Sequence, residues 1–104
     1  MRLHPDDVYD RSLLATRLIR DGQREAGIRQ VERTVEMAPH DGRIRYNAAC
    51  AYARAGMPER AMQELKEGIR DIPSYVSDWP RRDPDLASLH DHPEFIRLFG
   101  KVEP

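Results

Sequence analysis

Three groups of side chains in this sequence are of types that do chemistry. His90-Asp91-His92 sets two imidazoles on either side of an acid, and His4 and His40 are the remaining histidines. Such donors suit zinc, but zinc sites draw on Cys pairs or a His-Glu-x-x-His spacing, and the sequence has neither. Asp91 with Glu94 three residues later reads instead as a capping box at a helix start. Cys50 is the sole cysteine, so it cannot form an internal disulfide. As a nucleophile it would need a base within hydrogen-bond reach and an oxyanion stabiliser. His40 lies off its helical face, and the glycines are isolated rather than grouped into a phosphate cradle. Asp6-Asp7 reads as a pair of first-turn acids complementing a helix dipole. These residues predict no catalytic set, no metal site and no cofactor, and hence no enzyme.

A fourth group points to recognition. Arg20, Arg43 and Arg54 accompany Tyr9 and Tyr46. A guanidinium is a planar fork of donors suited to carboxylates, and tyrosine supplies rigid contact area. The chemistry is capture of an acidic peptide or one ending in a free carboxylate.

What must position these side chains is a repeat. Pro5, Pro39 and Pro73 are spaced by 34 residues, as are Gly22 and Gly56, Ala15 and Ala49, and Arg20 and Arg54. The same offset lays Ile28 on Met62, Val31 on Leu65, Val35 on Ile69 and Gly27 on Ala61. Within each period the pattern is helix, tight turn, helix. The spacing predicts helices from about Asp6 to Asp21, Gln23 to Met37, Arg43 to Ala55 and Pro58 to Ile72. Val8, Leu14, Ala15 and Leu18 are expected on the inner face of the first. Gly22 and Gly56 supply the freedom a helix ending needs, and Pro58 suits a first turn. Ala15 against Gly27, and Ala49 against Ala61, allow two antiparallel helices to cross closely.

In the second unit, Tyr46-Asn47-Ala48-Ala49-Cys50-Ala51-Tyr52 is followed by Gly56, Ala61, Leu65, Gly68 and Pro73. This pattern resembles the tetratricopeptide repeats. Departures are Arg45, where the family often has Trp or another large apolar residue, and Gly27, where Ala is usual. The resemblance implies an all-α fold of antiparallel helical hairpins, two units in a right-handed solenoid, closed by short C-terminal capping helices. Residues 1–104 would form one domain, with units at 3–39 and 40–73 and a cap at 74–104. It also implies a concave face lined by the first helices. Tyr9, Ser12, Thr16, Ile19 and Arg20 would line it in the first unit, and Arg43, Tyr46, Asn47, Cys50, Ala53 and Arg54 in the second. Arg20 and Arg54 would stand side by side. Only Asn47 falls on a position of the clamp by which some relatives grip chaperone tails, so that ligand is not expected.

Asp78-Trp79-Pro80-Arg81-Arg82-Asp83-Pro84-Asp85-Leu86 and Asp91-His92-Pro93-Glu94-Phe95 resemble the segment that terminates many bacterial tetratricopeptide arrays. Such segments end larger signalling proteins. A solenoid must cover the apolar face of its last repeat, and Tyr75, Val76, Trp79, Leu86, Leu89, Phe95, Ile96, Leu98 and Phe99 are expected to do so. Asp83 before Pro84 reads as an N-cap. At the other end, Leu3 to Asp7 reads like the tail of an earlier repeat, so the expectation is a C-terminal piece of a longer array or, second to that, a first helix that packs on a second copy.

Composition narrows the partners. The chain is 39% apolar and 34% charged, with a net charge of −1, which lacks the footprint of a nucleic-acid binder. It has neither a membrane-length apolar run nor a signal-like N-terminus. A lone cysteine favours the cytoplasm. The expected function is a protein-interaction module or scaffold within a larger bacterial signalling or regulatory protein. The competing expectation is a structural cap and self-association domain without a peptide ligand.

Overall fold

Gly22 and Gly56 end two helices with left-handed backbone, at φ +89° and +77°. Around each, the same hydrogen bonds recur in register. Gln23 N–H reaches back to Leu18 O (2.8 Å) and Met57 N–H to Tyr52 O (2.9 Å), while Gly22 bonds Ile19 O and Gly56 bonds Ala53 O at 3.1 Å. These paired bonds satisfy the carbonyls a helix end would leave bare. Two copies of one turn, one period apart, are the repeat made physical.

The structure is a computed structural model that describes residues 5–71 and 78–102. Helices α1 (Pro5–Arg20) and α2 (Arg24–Met37) form the first hairpin, and α3 (Gly42–Arg54) and α4 (Pro58–Ile69) the second. The closing elements are α5 (Trp79–Arg82), a 3₁₀ helix (Pro84–Leu89) and α6 (Pro93–Phe99). All described regular structure is helical, an all-α repeat fold with principal extents of 46 × 30 × 18 Å. α4 ends at Ile69, short of the expected Ile72; Leu3, Pro73, Tyr75 and Val76 lie outside the described residues.

Gly27 and Arg45, the two departures from the tetratricopeptide pattern, each have a local physical reason. A methyl group on Gly27 would meet the Ile19 side chain and sit 2.8 Å from the Ala15 carbonyl, so the first hairpin crosses too closely for alanine. In the second hairpin Ala49 and Ala61 are both fully buried. Arg45 takes its place by polar means: its guanidinium pairs with the largely buried Glu64 of α4 and donates to Pro39 O at 2.9 Å.

α3 is the spine of the molecule. Nine of its thirteen residues are buried, because it touches α1, α2, α4 and the 3₁₀ helix. Leu86, Leu89 and Phe95 from the closing segment join the same core as Ala49, Tyr52 and Leu65. Several expected core members do not. Trp79 is 54% exposed, and Ile96 and Leu98 face largely outward, so Leu86, Leu89 and Phe95 cover the last repeat without them. Leu14 is 42% exposed on α1. Its counterpart Ala48 is buried, and that face of α1 has no hairpin before it among the described residues. Capping also differs from expectation. Asp83 does cap the 3₁₀ helix, accepting from Asp85 N–H at 3.0 Å, but α6 is capped by His92, whose Nδ1 accepts from Glu94 N–H, and not by Asp91.

Candidate functional site

A cavity of about 520 Å³ opens between α1, α3 and the turn that starts the 3₁₀ helix. α1 contributes Leu13, Thr16, Arg17 and Arg20, and the turn after it Asp21; α3 contributes Tyr46, Asn47 and Cys50; Asp83 and Asp85 close it. The periodicity of α1 puts Thr16 and Arg20 on one stripe, one turn apart. On α3 the same rule aligns Tyr46, Cys50 and Arg54.

Of the residues expected at the groove, Thr16, Arg20, Tyr46, Asn47 and Cys50 line this cavity. Ser12 is buried beneath it, donating to Tyr9 O and accepting from Asn47 Nδ2 at 2.9 Å. Ile19 points away, into the crossing with Gly27. Arg43 stacks its guanidinium 5.2 Å from the Tyr9 ring centroid and pairs with Asp41 at 3.3 Å, apart from the cavity. Ala53 is buried, and its carbonyl faces the Ser88 hydroxyl at 3.4 Å. Arg54 is already engaged, with Nε 2.8 Å from an Asp85 oxygen.

The α3 side of the groove is therefore held by the chain's own closing segment. Tyr46 O–H donates to Asp83 at 2.8 Å, and the Cys50 thiol points to the same oxygen at 3.7 Å. Burial, and then the hydrogen bond to Asp83, push the Tyr46 hydroxyl well above its ordinary range. Burial and the neighbouring carboxylates do the same to Cys50. Both therefore stay protonated as donors, and Cys50 is an inert thiol rather than a nucleophile. Cys50, Asp83 and Asp85 bring three ligand-type atoms within 4.8 Å of one another. Each is already spoken for: Asp83 by three donors, Asp85 by Arg54, and the thiol by its own proton.

The α1 side is open. Arg17 and Arg20 are exposed and have no ion-pair or hydrogen-bond partner among the described residues. Sequence reasoning missed Leu13, Arg17, Asp21, Asp83 and Asp85. Arg17 carried a legible signal, three residues before Arg20 on the same helix. Asp83 was read only as a cap, and it is one through Oδ1, while its other oxygen serves Tyr46.

Hairpins in register around a concave recess define a helical-repeat protein. Comparison with known proteins agrees. The chain is 34% identical to human IFIT1 homolog B over 74 residues, 71% of this chain and 16% of that protein. It is 34% identical over 77 residues to the human antiviral innate immune response effector IFIT1, covering 73% of this chain and 16% of the relative. It is 35% identical over 78 residues to human interferon-induced protein with tetratricopeptide repeats 2, covering 71% of this chain and 16% of the relative. The chain thus spans about a sixth of the length of these relatives, and the relationship is a tetratricopeptide-like one. No protein-family model matches it, and no solved structure does. Among the described residues no helix is long and apolar enough to cross a membrane.

Proposed function

We propose that this chain is a non-enzymatic protein-interaction module that holds an acidic peptide, or an acidic segment of a neighbouring domain, on its concave face. The observation that carries this reading is the pair Arg17 and Arg20, two guanidinium groups without a partner among the described residues, on the wall of a ligand-sized recess. Helical-repeat folds use such concave surfaces for protein recognition, and the tetratricopeptide-like relatives support that use in general terms. A net charge of −1 supports a protein partner over a nucleic acid. The setting that fits is the cytoplasm, where a lone buried thiol stays reduced. The resemblance of residues 78–95 to terminating segments of bacterial arrays supports a place in a larger signalling or regulatory protein.

Self-association through α1 has weaker support. The α1 positions one period before buried Ile44, Ala48 and Ala51 are Asp10, Leu14 and Arg17, a mostly polar stripe. A photo-crosslinking residue separates the two readings. Placed at Leu13, inside the recess, it should yield partner adducts that vanish when Arg17 and Arg20 become Glu. Adducts that form only from Leu14, and only between copies of this chain, would support self-association and sink the peptide reading.

A further inference from the structure

The two first helices present the same three groove positions one period apart: Ser12, Thr16 and Arg20 on α1 match Tyr46, Cys50 and Arg54 on α3. On α3 those positions are occupied, and the occupant shows what they accept. Residues 83–85 lay two carboxylates, two residues apart, along the helix. Asp83 takes the O–H of Tyr46 and the S–H of Cys50, and Asp85 takes the Nε–H of Arg54. One turn of helix separates the Cys50 donor from the Arg54 donor, and that distance suits acids at alternate positions of a turn or extended chain.

α1 repeats that donor order and leaves it unused. Thr16 offers a hydroxyl where α3 has the thiol, and Arg20 offers a guanidinium where α3 has Arg54. Neither has a hydrogen-bond or ion-pair partner among the described residues, and both line the cavity. Ser12 cannot join them, because its hydroxyl is committed to Tyr9 O and to Asn47. Arg17, whose α3 counterpart is the buried Ala51, adds a second cation beside Arg20.

We infer that the open half of the groove recognises an acid-x-acid motif, two side-chain carboxylates separated by one residue. One carboxylate sits on the Thr16 hydroxyl and the other on Arg20, as Asp83 and Asp85 sit on α3. Arg20 is the specificity residue, and the Asp83–Asp85 turn is the internal copy of the ligand. This rests on the concave-face reading above and adds the ligand's chemistry to it.

Selection from a library of random dodecapeptides, displayed on phage against the folded chain, tests it. Winners should carry Asp or Glu at two positions separated by one residue. A winning peptide, labelled and followed by fluorescence anisotropy, should bind Arg20→Gln about tenfold or more weakly, as expected for a lost charge-assisted hydrogen bond. Arg20→Lys should recover part of that loss, and replacing the two acids by Asn and Gln should abolish the difference between wild type and Arg20→Gln. Circular dichroism of each variant verifies that the helices persist. Peptides that lose binding in Leu13→Arg but show no acid spacing and ignore Arg20→Gln would overturn the motif while leaving the concave-face reading standing. Winners indifferent to Leu13→Arg and to Arg20→Gln, or a selection without winners, would overturn both.

Discussion

The two hairpins share one period and one turn geometry, yet they live in different surroundings. In the second, α3 is enclosed by the first hairpin, by α4 and by the closing segment, and most of its residues are buried. In the first, α1 packs chiefly against α2 and α3 among the described elements. Among its described side chains the exposed ones are Asp10, Leu13, Leu14, Arg17 and Arg20. The lesson is that a repeat fixes a backbone while position in the stack fixes the chemistry. The enclosed copy uses its groove residues to hold its own chain, whereas in the open copy Thr16 and Arg20 have no partner among the described residues.

The largest effect should come from breaking the enclosure. Leu86 is fully buried against the second hairpin, and truncating it to Ala should cost about 2–5 kcal/mol. Leu14→Ala, on the open face of α1, should cost less than about 1 kcal/mol. Urea unfolding followed by circular dichroism gives both values. If Leu86→Ala leaves the midpoint where it was, the closing segment is an appendage and the contrast fails. A mirrored swap then sharpens the comparison. Gly27→Ala puts a methyl into the Ala15 carbonyl and the Ile19 side chain, and should destabilise by about 1–3 kcal/mol through overpacking. Ala61→Gly, at the matching position, should cost only about 1 kcal/mol, the helix-propensity difference. Equal costs, or a gain from Gly27→Ala, would mean the two crossings are alike.

Much of this was legible beforehand. Equal spacing of prolines, glycines and small residues specified four helices and both turns, because those residues act through local backbone rules that a linear string records. Asp83 as an N-cap was legible for the same reason. The fate of Trp79, Ile96 and Leu98 was not. Apolar content announced a cover, but which members turn inward depends on how α5 and α6 meet the second hairpin, a matter of tertiary geometry. His92 displaced Asp91 as the cap because Pro93 fixes where α6 begins. At the groove, the tetratricopeptide resemblance placed Thr16, Arg20, Tyr46, Asn47 and Cys50 on one face, and these five line one cavity, as helical spacing allows. That Arg54 would meet Asp85, thirty-one residues away, needed the fold of the closing segment. Periodicity carries no information about such a long-range ion pair.

The smallest expected effect tests how the closing segment is fastened electrostatically. Glu94 of α6 meets Lys66 of α4 at 2.8 Å and Arg97 of its own helix at 2.7 Å. Hydrogen bonds from Arg97 and then Lys66 hold its carboxyl down to about 2. A depressed carboxylate contributes stability that is fully present above its unfolded value, near 4.3, and is lost as pH falls through the folded value. Between about pH 5 and pH 2 the wild type should therefore lose stability that Glu94→Gln has already lost. Because the pair is exposed, added salt should shrink the difference. Urea midpoints at neutral and acid pH, for both chains at low and high salt, read this directly. Parallel pH profiles for the two chains would mean that the Glu94 pairs add nothing measurable, and that apolar burial of Leu86, Leu89 and Phe95 with the bonds to Asp83 and Asp85 fastens the segment.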